Sequence, residues 1–229
     1  MTNLLRHKYF VHPWCVVTLL SAAACGARKT DQEPAPAPTA PLPTAGLAGQ
    51  KVPLLPLTLV AAEEALHWDA QLADRRGALD KSDSIIGSLL AARVPEVVWV
   101  GPGDLRHAAR RAAGIAADPD QMGTAFLRAE GLVDVPDPLR YQLRTLVGLT
   151  GGRYALVPAG LVFRKPPARS GTVGAQHAAP LPVAVAELSI VLVDTRIGRV
   201  GWRTTARGDG DDPWTALTRA VKSLTPGLP

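Results

Sequence analysis

One stretch near the C-terminus constrains the fold most, because its residues are apolar on both faces of a strand. Residues 183–193 alternate as a β-strand, and Glu187 is the main exception among side chains that are mostly apolar. A strand with two apolar faces belongs in the middle of a sheet that is covered on both sides. Residues 194–198 then predict a tight turn that ends in glycine, and residues 199–206 return as the hairpin partner.

Periodic patterns elsewhere predict further strands and helices around this hairpin. Pro102 suits a first helical position, and the pairs Asp137-Pro138 and Asp212-Pro213 are predicted to cap two other helices. The predicted fold class is therefore α/β (α+β), with a single mixed sheet that has a C-terminal antiparallel hairpin and packs against several helices. The predicted helices are 79–93, 102–113, 138–148 and 213–224, and the predicted strands are 52–60, 96–100, 153–164 (kinked at residues 158–160), 183–193 and 199–206.

The N-terminus has the layout of a cleavable secretory signal. Arg6 and Lys8 precede an apolar run over residues 9–20, and small residues follow up to Cys25. The run is too short for a comfortable membrane span, which needs about 20 apolar residues. Residues 1–24 are therefore predicted to be a signal peptide, and an uncleaved anchor is the alternative.

Cys25 is predicted to be a lipidation site. The stretch Ala23-Ala24-Cys25-Gly26 resembles the lipobox of bacterial lipoproteins, although Ala22 stands where leucine is usual. The resemblance implies that Cys25 carries a diacylglycerol thioether and becomes the acylated first residue. Gly26 stands where aspartate would favour retention in the inner membrane, so the chain is predicted to be anchored in the outer membrane, facing the periplasm. The alternative is a cysteine that merely falls in the tail of the signal. Removal of Cys15 with the signal leaves no disulfide in the mature chain.

The segment after Cys25 is predicted to be a disordered tether over residues 25–50. Its prolines alternate with Ala, Thr and Leu between Pro34 and Pro43, a composition typical of extended polyproline II. At about 3.1 Å per residue the tether spans as much as roughly 75 Å. It either lets the domain reach a partner or simply provides a flexible exit from the membrane. Residues 51–229 are predicted to form one α/β domain.

Charge and motifs indicate neither nucleic-acid binding nor a recognisable catalytic site. The net charge of +5 becomes +3 once Arg6 and Lys8 are removed with the signal, which is too small to indicate a nucleic-acid partner. The sequence predicts no catalytic residue, cofactor or metal ligand. The alternative function is an envelope hydrolase or carbohydrate-binding protein. It would work through His67 and Asp69 or through the acidic residues 209–212. A role in turns and helix capping also explains residues 209–212.

A basic helix face is the candidate interaction surface. Arg106, His107, Arg110 and Arg111 lie on one side of the predicted helix that follows Pro102. Such a face can meet lipid headgroups or an acidic polymer, and a merely solvated face is the alternative.

Two stretches carry a resemblance to known envelope proteins. Residues 154–157, followed by residues 188–202 with the Asp194–Gly198 turn and Trp202, resemble a group of proteins that share an anticodon-binding-like α/β domain. The group contains the curli-assembly lipoprotein, the penicillin-binding-protein activator lipoprotein and the N-terminal domain of the Tol-system periplasmic protein. The resemblance covers about residues 52–225 and implies no catalytic residue. The loop over residues 165–181 lacks alternating segments that could span a membrane as strands, so no pore is predicted.

Together these features predict a non-enzymatic, outer-membrane-anchored periplasmic lipoprotein whose domain binds or helps to assemble another cell-envelope component. The partners are then the membrane, through the lipid on Cys25, and an unknown envelope protein or peptidoglycan. A ring-forming homo-oligomeric assembly subunit without a transmembrane pore is a further alternative.

Overall fold

The structure is a computed structural model that describes residues 46–166 and 183–224. The predicted signal peptide, Cys25 and most of the predicted tether lie outside the described residues, as does most of the predicted loop over residues 165–181. Among the described helices, none is long and apolar enough to cross a membrane.

The described residues form an α/β domain in the predicted order. The strands are β1 (Lys51–Pro53), β2 (Val60–Ala62), β3 (Val98–Val100), β4 (Tyr154–Arg164), β5 (Ala184–Asp194) and β6 (Arg199–Gly210). The α-helices are α1 (Asp69–Leu72), α2 (Arg75–Arg93), α3 (Pro102–Arg111), α4 (Leu139–Thr150) and α5 (Pro213–Lys222), and 3-10 turns lie at Glu64–Leu66, Pro119–Gln121 and Thr124–Arg128.

The main sheet is mixed and has the order β2-β4-β5-β6. β5 is antiparallel to both of its neighbours, β4 and β6, whereas β2 runs parallel to β4. This arrangement confirms the predicted mixed sheet, the C-terminal hairpin and the central position of β5. The predicted irregularity of β4 is also confirmed, since its register with β5 shifts between Pro158 and Gly160.

The predicted first strand is divided, which adds a second sheet to the single one predicted. Its start, β1, pairs with β3 in a two-stranded parallel sheet, and only an isolated bridge from Leu54 to Leu156 connects this segment to β4. Pairing with β4 resumes at Val60. Pro53 and Pro56 have no N–H to donate to a ladder, so the strand is interrupted between β1 and β2.

Helices cover both faces of the sheet at β5. Leu188, Ile190 and Leu192 lie in a core with residues of α2 and α5, whereas Val191 and Val193 lie in a second core with α3 and α4. Along β5 the second core ends at Val191, and Ser189 and Glu187, which precede it on the same face, are partly exposed. The two apolar faces of the predicted strand are thus explained by two helical layers.

The helix boundaries confirm one predicted cap and correct another. Asp212 caps α5, because its Oδ1 accepts hydrogen bonds from the backbone N–H groups of Trp214 and Thr215 at 2.9 and 3.1 Å. The prediction that Asp137 caps α4 is wrong. The helix begins at Leu139, Pro138 occupies the cap position, and no side chain caps this end. The Asp137 carboxylate instead lies 3.5 Å from Nε of Arg140.

Candidate functional site

In the described part of the chain, the residues named for the hydrolase alternative do not form one cluster. His67 and Asp69 are both exposed, and no hydrogen bond joins them within the described part of the chain. Asp209 pairs with Arg219 at 3.1 Å, and Asp212 is the helix cap described above. In residues 46–166 and 183–224 no group of three or more His, Cys, Asp or Glu side chains is placed to hold a metal ion.

The predicted basic face of α3 is reduced by one residue. His107, Arg110 and Arg111 are exposed, as predicted, but only 18% of the Arg106 side chain is exposed. Its Nε donates to Asp120 at 2.9 Å, and its Nη2 donates to Asp83 at 3.0 Å. Arg106 therefore belongs to an ion-pair network, whereas the other three residues remain the predicted interaction surface.

Asp83 connects this network to the interrupted first strand. It lies on α2 and is 6% exposed. One carboxylate oxygen accepts the backbone N–H of Leu57 at 2.8 Å, and the other accepts Arg106. The break between β1 and β2 leaves the N–H of Leu57 without a ladder partner, so the Asp83 carboxylate satisfies a buried donor. Asp80 and Arg76 complete the network at its exposed side.

Burial dominates the ionisation of Asp83. Desolvation raises the pKa of Asp83 to about 6, although the N–H of Leu57 and the Arg106 guanidinium both favour the charged form. At Asp120 the balance is the opposite. Burial alone would raise the pKa of Asp120, but hydrogen bonds from Arg106 and Arg76 hold it below its ordinary value.

Asp83 is expected to make stability fall as the pH rises from about 4 to about 6. The unfolded pKa is about 3.9, so in this interval the folded state binds more protons than the unfolded state and stability declines with pH. Asp83→Asn cannot titrate. We therefore expect the unfolding free energy of the wild type minus that of the variant to drop by about 2 kcal/mol across this interval. Urea unfolding at several pH values measures it, and a pH-independent difference contradicts the assignment.

A second charged site lies where the N-terminal half of α4 meets the turn between β5 and β6. We call this site the arginine cleft. Its volume is about 250 Å³, and it is lined by Arg140, Tyr141, Arg144, Thr195, Arg196 and Ile197. Among residues 46–166 and 183–224, no acidic side chain lines it. Tyr141 and Ile197 are 56% and 58% exposed, which is unusual for side chains of this size.

The arginines of this cleft are poorly neutralised. Within the described residues, Arg144 and Arg196 make no ion pair through their guanidinium groups. Arg140 lies over the Tyr141 ring at 5.2 Å from its centroid and has Asp137 at 3.5 Å. The carboxylate of the adjoining turn, Asp194, is held by Arg153, whose Nη2 lies 2.6 Å away. Three guanidinium groups thus share one cleft. Of the nearest carboxylates, Asp137 pairs with Arg140 itself and Asp194 pairs with Arg153 outside the cleft.

The turn that forms one wall of the cleft is held by several hydrogen bonds. Asp194 accepts the N–H of Arg196 at 3.0 Å, and the Thr195 hydroxyl donates to the Arg153 carbonyl at 2.7 Å. Burial would raise the pKa of Asp194, but the Arg153 guanidinium and the backbone N–H groups of Arg196 and Ile197 lower it below its ordinary value. Gly198 has a φ of 71°, as predicted for the turn, and a Cβ there would lie 2.2 Å from Cδ of Arg140. Glycine therefore lets Arg140 pack against the turn.

An apolar groove lies on the other side of the same helix. This Phe126 groove has a volume of about 460 Å³, and its lining includes Phe126, Pro136, Leu139 and Gln142. Phe126 is 73% exposed. The arginine cleft and the Phe126 groove thus flank the first half of α4 and combine aromatic, apolar and cationic groups on one surface.

Sequence reasoning missed the arginine cleft because its parts are distant in the chain. Arg140 and Arg144 have the i, i+4 spacing of one helix face beside Tyr141, and that local signal was available. Arg196 is 52 positions beyond Arg144, and only the packing of the turn against α4 brings them together.

Comparisons with known proteins give weak structural likenesses. The sequence matches no protein-family model and no curated protein. The LpoB C-terminal domain from Salmonella enterica is 14% identical, with 71% of this chain and 84% of that chain covered and a TM-score of 0.36. A PelC dodecamer from Paraburkholderia phytofirmans is 15% identical over 78% of this chain and 87% of that chain, with a TM-score of 0.32. Lipoprotein GNA1162 from Neisseria meningitidis is 13% identical over 70% of this chain and 80% of that chain, with a TM-score of 0.29.

LpoB is the penicillin-binding-protein activator lipoprotein of the group named from the sequence. At such low identity and TM-scores the likenesses carry no argument about this chain. Partners and activities of those proteins are therefore not transferred to this chain.

Proposed function

We propose that this chain is a non-enzymatic lipoprotein of the bacterial cell envelope, anchored in the outer membrane through Cys25, whose α/β domain binds another envelope component. The observation that carries the binding role is the surface around α4, where exposed Tyr141 lines the arginine cleft and exposed Phe126 lines the groove on the other side of the helix. Tyrosine and arginine are enriched where proteins bind partners, and large exposed aromatic side chains cost solubility without a partner. The lipobox, the tether and the resemblance to envelope lipoproteins support the location.

The anchor is tested by substituting the lipidated residue. We expect wild-type protein to incorporate labelled palmitate and to fractionate with the outer membrane, because the acyl chains insert into the bilayer. Cys25→Ser is expected to lose the label and to leave the membrane fraction. A label that persists in Cys25→Ser contradicts the anchor, and so does wild-type protein that fractionates away from the outer membrane.

The binding role is tested by crosslinking the wild-type protein in intact envelopes. We expect adducts with other envelope proteins or with peptidoglycan.

Activity on purified peptidoglycan that is abolished by Asp211→Ala or Asp69→Ala contradicts the non-enzymatic assignment and favours the hydrolase alternative. The mass of the detergent-extracted protein tests the predicted ring-forming alternative, which monomers would exclude.

A further inference from the structure

We propose that the arginine cleft binds carboxylate side chains of an acidic segment of a partner protein. This inference rests on the proposed binding function and names the surface and the chemistry by which it acts. Arg140, Arg144 and Arg196 supply the cationic groups, and the exposed side chains of Tyr141 and Ile197 supply apolar contacts.

Charge complementarity is the first reason. Guanidinium groups present a planar set of donors that match a carboxylate in a bidentate geometry. Two of the three guanidinium groups, those of Arg144 and Arg196, have no ion pair within residues 46–166 and 183–224. Three like charges around one cleft repel one another, so an incoming anion relieves that repulsion as well as forming hydrogen bonds.

Preorganisation is the second reason. The turn carrying Arg196 is fixed by Asp194 and Thr195, and its last residue, Gly198, donates to the Asp194 carbonyl at 2.9 Å. On its outer side, Val135 donates to the Gly198 carbonyl at 2.8 Å. A wall that is already ordered loses little conformational entropy when a partner binds.

Size and surroundings favour a protein segment over other anions. A volume of about 250 Å³ is below the range of about 300–1,000 Å³ that is common for small-molecule sites, and suits one or two side chains. Ile197 offers an aliphatic surface that an inorganic phosphate does not use. The Phe126 groove on the other side of α4 gives room for apolar side chains of the same partner.

The contrasting surface on α3 provides a matched control. Arg110 and Arg111 are exposed and belong to the surface predicted from the sequence. The variant Arg110→Glu/Arg111→Glu changes the net charge as much as Arg144→Glu/Arg196→Glu does. A difference between the two variants therefore reports the location of binding and not total charge.

The experiment uses the full-length protein extracted in a non-ionic detergent. The probe is a fluorescein-labelled peptide in which glutamate alternates with leucine, and a peptide with glutamine in place of each glutamate is its control. We expect fluorescence anisotropy to give an affinity for the glutamate peptide about tenfold higher than for the glutamine peptide. Arg144→Glu/Arg196→Glu should lower the affinity for the glutamate peptide by about tenfold or more, whereas Arg110→Glu/Arg111→Glu should retain most of it.

Several outcomes overturn the proposal. Loss of binding in the α3 variant alone places the acidic partner on α3. Equal affinity for the two peptides, or displacement by low millimolar inorganic phosphate, means that the cleft does not select carboxylate side chains. Anionic vesicles that bind detergent-free Cys25→Ser protein but not Cys25→Ser protein carrying Arg144→Glu/Arg196→Glu, with no peptide binding, assign the cleft to a lipid surface. If the double glutamate variant does not fold, Arg144→Gln/Arg196→Gln serves in its place.

The outcome is separable from that of the proposed function. If envelope crosslinks persist unchanged in Arg144→Glu/Arg196→Glu, the binding protein remains but the arginine cleft is not its contact surface. If crosslinks are absent in the wild type while the glutamate peptide binds, the cleft stands and the envelope partner is wrong.

Discussion

Replacement of Arg106 by methionine is expected to lower the free energy of unfolding by about 3 kcal/mol. Methionine fills a similar volume but cannot compensate the carboxylates of Asp83, Asp120 and Asp80, all of which lie within 3.2 Å of the guanidinium. Removing one partner from a buried pair leaves an uncompensated charge in a poorly solvated position. Part of the Arg106 side chain reaches solvent, so the expected loss of unfolding free energy lies at the lower end of the range that is usual for breaking a buried ion pair. Urea unfolding of the full chain measures it.

Arg110→Met is the matched control on the same helix. Arg110 is exposed and one helical turn beyond Arg106, so its substitution removes a charge without removing a partner of the network. We expect a change below about 0.5 kcal/mol, as is usual for exposed positions. Equal losses in the two variants contradict the structural role of Arg106 and restore it to the basic face of α3.

The position of Arg106 illustrates what the sequence could predict. Helical spacing placed Arg106, His107, Arg110 and Arg111 on the polar side of one helix, and three of them are exposed. The fourth differs because its partners, Asp83 on α2 and Asp120 in a 3-10 turn, are distant in sequence. Periodicity identifies the face of a helix but carries no information about which acidic residue packs against it.

The strands give a similar lesson about local and distant information. The turn between β5 and β6 was predictable because alternation and a terminal glycine are local signals, and Gly198 has the positive φ that the turn requires. The interruption of the first strand was predictable from Pro53 and Pro56. The acceptor that the interruption requires was not predictable, because the N–H of Leu57 donates to the carboxylate of Asp83, which lies 26 positions later in the sequence.

These two long-range links have a common effect on the candidate site. Asp83 and Arg106 join the first strand to α2 and α3, and α3 shares a core with α4. α4 in turn carries Arg140, Tyr141 and Arg144 of the arginine cleft. The cleft is therefore built on a helix whose position depends on packing, whereas its opposite wall is a hydrogen-bonded turn. Rigid elements of this kind hold binding groups more accurately than loops do.

Substitution of Gly208 by alanine is expected to destabilise the domain by about 3 kcal/mol, the upper end for overpacking. A Cβ at Gly208 would lie 2.0 Å from the backbone nitrogen of Ala220 and 2.5 Å from the carbonyl oxygen of Ala216. Both atoms belong to the backbone of α5 and cannot rotate away, so the whole helix must move from β6. Gly201→Ala on the same strand is the control, because its Cβ meets only the Leu192 carbonyl at 3.8 Å.

Displacement of α5 by Gly208→Ala should also expose the edge of the sheet. β6 is an edge strand, and its carbonyls at Arg207 and Asp209 accept hydrogen bonds from Ser223 at 2.6 Å and from Arg219 at 3.1 Å. Edge carbonyls that lose such partners are available for pairing between molecules. We therefore expect Gly208→Ala to unfold at lower urea concentration and to scatter light on concentration, whereas Gly201→Ala does neither. If the two variants have the same unfolding midpoint, the close approach of α5 to β6 is wrong, and α5 does not protect this edge.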